Sequence, residues 1–150
     1  MAASGDCIFC RIVRGDAPAS VVAQDDNILA FLDIRPINVG HTLVVPRRHA
    51  SLLADLQPAM GRAIFEMAQR VAAGLRASGL RCEGVNFHLA DGEVAGQEVF
   101  HVHLHVYPRF AGDGVGLRFG PKYGTTPPRS ELDRTATRIR GALGTSAQAE

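Results

Sequence analysis

The run His101-Val102-His103-Leu104-His105-Val106-Tyr107 constrains this chain more than any other stretch. Histidine alternates with an apolar residue, which is the period of a β-strand and not of a helix. Alternate side chains of a strand share a face, so the three imidazoles form one row, roughly 6–7 Å from neighbour to neighbour. Val102, Leu104 and Val106 then point the other way and anchor the row in a core. The row takes up half of the chain's six histidines. Imidazole changes charge near neutral pH and can serve as nucleophile, acid, base or metal ligand. The plain alternative is a set of solvated polar positions, and the placement of all three on one face speaks against it.

The chain has 150 residues, which suits a single domain with a sizeable core. Its formal charge of +1 gives no long-range field toward nucleic acid or anionic lipid, so neither is expected as a partner. No apolar run approaches the roughly 20 residues of a membrane span. Met1 to Asp6 has no basic start and no apolar stretch behind it, unlike a secretory signal. Cysteines number three, and an odd count argues against a disulfide framework. A reducing, cytoplasmic location is the expectation.

The spacing of apolar residues predicts the elements. Cys7 to Val13 suits a short helical turn. Ser20 to Gln24 and Asn27 to Asp33 read as a hairpin turning at Asp25-Asp26. Thr42 to Val45 is a short strand entered through Asn38-Val39-Gly40 and closed by Pro46. Met60, Ile64, Met67, Val71 and Leu75 keep helical spacing, so residues 58–77 form an amphipathic helix with Pro58 in its first turn and Gly79 past its end. Its methionines and Phe65 read as core packing. Val85 to Leu89 and Val99 to Tyr107 read as the last two strands, with Asp91-Gly92 and Gly96 marking the turn between them. The fold class is therefore α+β, with an antiparallel sheet, one main helix and short helices. Organisation is expected as one domain over residues 1–150. Its core is 6–112, followed by a loop at 113–129, a helix at 130–142 capped by Ser130, and a flexible tail at 143–150.

Cys7-Ile8-Phe9-Cys10 has the spacing of a zinc knuckle. A redox pair would be expected after a strand in a βαβ pattern, and only six residues precede this one. Half a zinc motif needs two more ligands, and His49 and His101 are the best candidates. Two buried cysteines acting as small hydrophobes are the plain alternative. Cys82 reads as packing. His41, after Gly40, and His49, after Pro46-Arg47-Arg48, sit at opposite ends of one strand. His88 reads as a structural histidine with no constellation near it. Asp33 reads as a turn or capping residue, although a carboxylate could also hold a ribose diol. Gly112 to Gly116 is too weak a phosphate loop to claim. Arg47 and Arg48 are too few for a nucleic-acid patch.

The stretch from Gly96 to Arg109, GQEVFHVHLHVYPR, resembles the signature of the histidine triad (HIT) superfamily. Upstream segments match in order: Cys7-Ile8-Phe9-Cys10-Arg11-Ile12, Phe31-Leu32-Asp33-Ile34-Arg35-Pro36, and Gly40 to His49, GHTLVVPRRH. The resemblance covers residues 6–112, and these segments recur in the same order in bacterial proteins related to the Hint branch. It implies a homodimer with a sheet continued across the interface, acting on a purine nucleotide of AMP type. It also implies a chemistry, the hydrolysis or transfer of nucleoside monophosphates through a nucleotidyl-histidine intermediate. By resemblance His103 is the nucleophile, His105 bonds the phosphate, and His41 and His101 support the triad. Asp33 takes the ribose position, which reverses its plain reading. Phe9, Ile12, Phe31, Ile34 and Leu43 would line a base pocket, and amides near Gln97, Glu98 and Val99 would hold phosphate oxygens. The resemblance also implies a structural zinc held by Cys7, Cys10, His49 and His101.

Three departures stand out. Ala90 replaces an Asn or Gln that contacts phosphate in several members. Glu98 brings a carboxylate where some have Ser. No C-terminal Trp is present. The expected activity is hydrolysis of adenosine phosphoramidates or similar AMP conjugates. A dinucleoside polyphosphate hydrolase is the nearest alternative, to which the Arg109 guanidinium leans. A metallohydrolase built on the three histidines, and a nucleotide-binding scaffold with little catalysis, are the alternatives from other classes.

Overall fold

The computed structural model describes residues 7–146, so the expected tail beyond residue 146 and the first six residues lie outside the described residues. Contacts divide the chain into two compact units, split between Val115 and Gly116. The first holds a five-stranded sheet and two helices. Helix α1 spans Ile8–Arg14, followed by strands β1 (Val21–Gln24), β2 (Ile28–Leu32) and β3 (Thr42–Pro46). Helix α2 spans Pro58–Ala77, and strands β4 (Gly84–His88) and β5 (Leu104–Arg109) follow. The sheet order is β1-β2-β3-β5-β4, with antiparallel neighbours throughout.

Both faces of the sheet are covered, and the strand sequences show why. On one face Ile28, Ala30, Val44, Leu104 and Val106 pack against Ile64, Met67, Ala68, Val71 and Leu75 of α2. On the other, Leu29, Phe31, Leu43 and Val45 pack against Phe9 and Cys10 of α1 and against Cys7 just before it. Strands buried on both faces read as continuous apolar runs, as ILAFL and TLVVP do. Helix α1 has only seven residues, too few to persist by propensity alone. Burial of Phe9 and Cys10 holds it, and Gly15 ends it in the left-handed region at φ +83°.

Three expectations are corrected. The histidine strand begins at Leu104 and not at Val99, so His101 and His103 precede the regular ladder. Strand β4 stops at His88, opposite His105, and Pro46 at the end of β3 has no N–H to extend the pairing. Phe65 is not core. It is half exposed and its ring meets that of Phe87, 5.9 Å between centroids. In the second unit, helix α3 spans Arg129–Ser146, so Ser130 lies inside it and the helix continues past residue 142. The Pro128 carbonyl accepts the first helical N–H groups, from Glu131 and Leu132, which sets the earlier start. No helix among the described residues is long and apolar enough to cross a membrane.

Gly40 is the glycine the fold requires. Its φ is +100°, and an added Cβ would lie 2.9 Å from Leu75 Cδ2 and 3.0 Å from Leu80 Cδ1. Gly74, by contrast, is a helical position with open space around it. Gly40→Ala should therefore cost about 1–3 kcal/mol in urea unfolding, whereas Gly74→Ala should stabilise by up to about 1 kcal/mol. Equal effects of the two substitutions would contradict this packing.

Candidate functional site

The site is built on the α1 face of the sheet, where the histidines emerge. His103 is buried, and its Nδ1 lies 2.7 Å from the His101 carbonyl oxygen. A carbonyl oxygen only accepts, so Nδ1 carries the hydrogen and Nε2 keeps its lone pair. His101 is fully buried, and its Nε2 donates to the Pro46 carbonyl at 2.8 Å. The lone pair of His101 is therefore on Nδ1.

That Nδ1 faces a sulfur–nitrogen cluster. It lies 3.5 Å from Cys7 Sγ, 3.5 Å from Cys10 Sγ and 3.3 Å from His49 Nδ1. Cys10 Sγ is 3.3 Å from the same His49 nitrogen. A tetrahedral ion with Zn–N near 2.05 Å and Zn–S near 2.3 Å would have ligand edges of about 3.3 Å between nitrogens and about 3.6 Å from nitrogen to sulfur. The four residues can thus hold a metal ion, and their donor set of two thiols and two imidazoles suits a closed tetrahedral centre. Burial, with Cys7 close by, pushes the Cys10 thiol up to about 11. Burial pushes His101 down to about 4, despite its bond to Pro46, which keeps the ring in its neutral, ligating form. His101 is turned to this cluster while His103 is not, so the three histidines of the row do not converge on one ion.

A second chain of hydrogen bonds fixes His105. The Ile37 backbone N–H donates to His41 Nδ1 at 3.1 Å, so the proton of this neutral ring sits on Nε2. His41 Nε2 lies 2.9 Å from His105 Nδ1 and donates to it. His105 in turn carries its hydrogen on Nε2, the nitrogen left for a ligand. His103 and His105 stand with ring centroids 4.9 Å apart. One therefore offers a lone pair and its neighbour an N–H.

These rings open on a cavity of about 730 Å³. Phe9, Ile12, Phe31, Ile34 and Leu43 line it, together with Asp33, His41, His103 and His105. Phe9 packs edge-on to both Phe31 and His103, at 5.6 and 5.2 Å between centroids. Asp33 Oδ1 accepts the Arg35 backbone N–H at 2.8 Å, and its Oδ2 stands 3.8 Å from His41 Nδ1. Glu98 and Val99 also line the cavity. The Glu98 carboxylate is bound by Arg35 at 3.0 Å, so its charge is matched by a guanidinium. Both side chains are more than three-quarters exposed, so the pair adds little stability.

Other expected or noted residues lie elsewhere. Gln97 is buried away from the cavity. Its Oε1 accepts the Gly92 N–H, its Nε2 donates to the Ser51 and Val99 carbonyls, and its own N–H bonds Gly92. It shapes the turn before the histidines, and its amide is not free for a phosphate. Arg109, the expected polyphosphate contact, is bound by Asp113 at 2.6 and 3.0 Å, by Asn86 and by the Val115 carbonyl. That network also closes the glycine-rich loop, and the Arg109 bond holds the Asp113 carboxyl far below the usual carboxylate range. His88 is the residue that sequence reasoning missed. It pairs with His105 across β4 and β5, with ring centroids 5.8 Å apart, and lines the cavity. The hairpin register held this signal, since any antiparallel register bringing His88 opposite His105 puts the two on one face.

Comparison with known proteins matches these features. The HIT domain family model matches residues 14–112. An uncharacterized HIT-like protein of Borreliella burgdorferi is 42% identical over 118 residues, which are 78% of this chain and 85% of that one. Adenylylsulfatase HINT3 of Arabidopsis thaliana is 34% identical over 105 residues, 69% of this chain and 52% of that one. Among solved structures, a Zn-bound histidine triad family protein from Mycobacterium smegmatis is 42% identical with a TM-score of 0.73, covering 99% of this chain and 100% of that one. The histidine triad nucleotide-binding protein from Candida albicans aligns with a TM-score of 0.82 at 25% identity, covering 94% and 99%.

Burial lowers the affinity of His41, His103 and His105 for protons, and His105 is pushed down to about 4. The unfolded chain takes up these protons near the ordinary imidazole value, so folding stability should decline as pH falls from about 6.5 toward 4. An NMR titration should find the His105 ring still neutral at pH 5.5. A midpoint at 6.5 or above would contradict the buried relay.

Proposed function

The chain belongs to the HIT family, and we propose that it is a nucleotide hydrolase that cleaves at the α-phosphate of adenosine phosphoramidates or related AMP conjugates. The observation that carries this reading is the tautomer of His103. Its Nδ1–H is engaged by a backbone carbonyl, so Nε2 meets the cavity as a neutral nucleophile that needs no added base. Attack on phosphorus leaves positive charge on the ring, and the His101 carbonyl is already aligned to stabilise it. The Nε2–H of His105, ordered through His41 and the Ile37 amide, is suited to donate to a phosphate oxygen. Asp33 Oδ2 is suited to accept from a ribose hydroxyl, and the apolar wall of Phe9, Phe31 and Leu43 is suited to a purine base. The name of the Arabidopsis relative, an adenylylsulfatase, fits an activity at a nucleotide phosphate.

In this reading the cluster of Cys7, Cys10, His49 and His101 holds a structural zinc, in keeping with the Zn-bound relative. Zinc there supplies rigidity, tying α1 to the segment that carries His103. The edge strand β4 and the exposed Phe65–Phe87 pair support a homodimer in which a second copy continues the sheet. The polyphosphate alternative loses its sequence argument, because the donors of Arg109 are engaged within the fold.

The test is single-turnover release of AMP from adenosine 5′-phosphoramidate by wild type and His103→Ala. The wild type should turn over and carry a transient nucleotidyl adduct visible by intact mass. The variant should lose at least about 10³-fold in rate while AMP still binds. Equal rates in the two proteins would overturn the assignment of the nucleophile.

A further inference from the structure

The mechanism above leaves one proton without a carrier. An amine or alkoxide leaving phosphorus must be protonated, and the water that replaces it must lose a proton. Five of the six histidines are already engaged. His49 and His101 belong to the sulfur cluster. His103 supplies the lone pair, and both nitrogens of His41 are bonded. His105 has its Nδ1 filled by His41, and its neutral Nε2–H suits a phosphate oxygen better than a leaving atom, because giving that proton up would leave an imidazolate.

His88 remains. It stands at the end of β4, directly across from His105, on the wall of the same cavity. Unlike His41, His101 and His103 it is exposed, so it can exchange protons with water. Among the described residues neither of its ring nitrogens has a hydrogen-bond partner. Its charge reaches both His103 and His105, since a positive His88 opposes protonation of each. Ala90, past the end of β4, is buried and has no polar side chain to offer there.

We propose that His88 is the proton carrier for the leaving group, an inference that rests on the nucleotidyl-transfer reading. In the first step His103 Nε2 bonds to phosphorus and the bond from phosphorus to the leaving nitrogen or oxygen breaks. The electron pair stays on the departing atom, which takes the proton of a protonated His88. In the second step neutral His88 takes a proton from water as the water oxygen bonds to phosphorus. The phosphorus–Nε2 bond breaks, its electron pair returns to His103, and His88 is again protonated.

The test is a leaving-group comparison by rapid mixing. Wild type, His88→Leu, His88→Gln and His103→Ala are each given an alkyl phosphoramidate of AMP and the p-nitrophenyl ester of AMP. Nitrophenolate leaves without a proton and the alkylamine does not. Both His88 variants should lose about 10²-fold or more on first-turnover amine release and stay within about 3-fold of wild type on first-turnover nitrophenolate release. With the ester they should also show a burst equal to the active sites, because the adduct now waits for hydrolysis. Equal losses on both substrates, or no loss on either, would overturn the role of His88. If those results came with His103→Ala inactive on both substrates, the nucleotidyl-transfer reading would stand without it. Wild-type turnover of both substrates that survives His103→Ala would overturn the underlying reading, and the proposal with it.

Discussion

A hydrogen bond from His103 Nδ1 to the His101 carbonyl, at 2.7 Å, gives the rest of the site its meaning. Neutral imidazole has one N–H and one lone pair, and a buried carbonyl decides which nitrogen has which. The same rule acts one step back, where the Pro46 carbonyl takes the His101 Nε2–H and turns that ring's lone pair toward Cys7, Cys10 and His49. It acts with opposite sign at His41, where a backbone N–H forces the proton outward to His105. Identical side chains two residues apart therefore become a metal-type ligand, a lone-pair donor and a hydrogen-bond donor.

Burial makes these assignments firm. An exposed imidazole exchanges its proton with water and changes tautomer freely. Here Phe9 closes over His101 and His103, with centroids 5.9 and 5.2 Å away. The sheet seals the other side through Val102, Leu104 and Val106, which are buried against α2. The cost is a set of histidines that resist protonation, and the outcome is a row that stays neutral where free imidazole would not. Helix α1 is central to this. It brings Phe9, Cys7 and Cys10 to the same face, so the cluster that pins the helix also pins the roof of the cavity.

Much of this was legible in the sequence because it is periodic. The alternation at 101–106 assigned Val102, Leu104 and Val106 to the core, and the spacing of Ile64, Met67, Val71 and Leu75 assigned the buried face of α2. The pairing of Cys7 and Cys10 with His49 and His101 came from resemblance, since residues 39 to 94 positions apart carry no spacing rule. Tertiary hydrogen bonding was not legible. Gln97 looks like a phosphate contact until its bonds to Gly92, Ser51 and Val99 are seen, and Arg109 looks free until Asp113 takes it. Phe65 follows an apolar pattern yet faces outward, toward Phe87. His88 looked solitary because its significance lies in a cross-strand register, and sequence distance hides the register of a hairpin with a long connection.

Long-range proton–nitrogen correlation spectra of the histidine rings at neutral pH read the tautomers directly. The account predicts the hydrogen on Nδ1 for His103 and on Nε2 for His41, His101 and His105. Finding His103 protonated on Nε2, with its lone pair turned back toward the His101 carbonyl, would contradict the central claim.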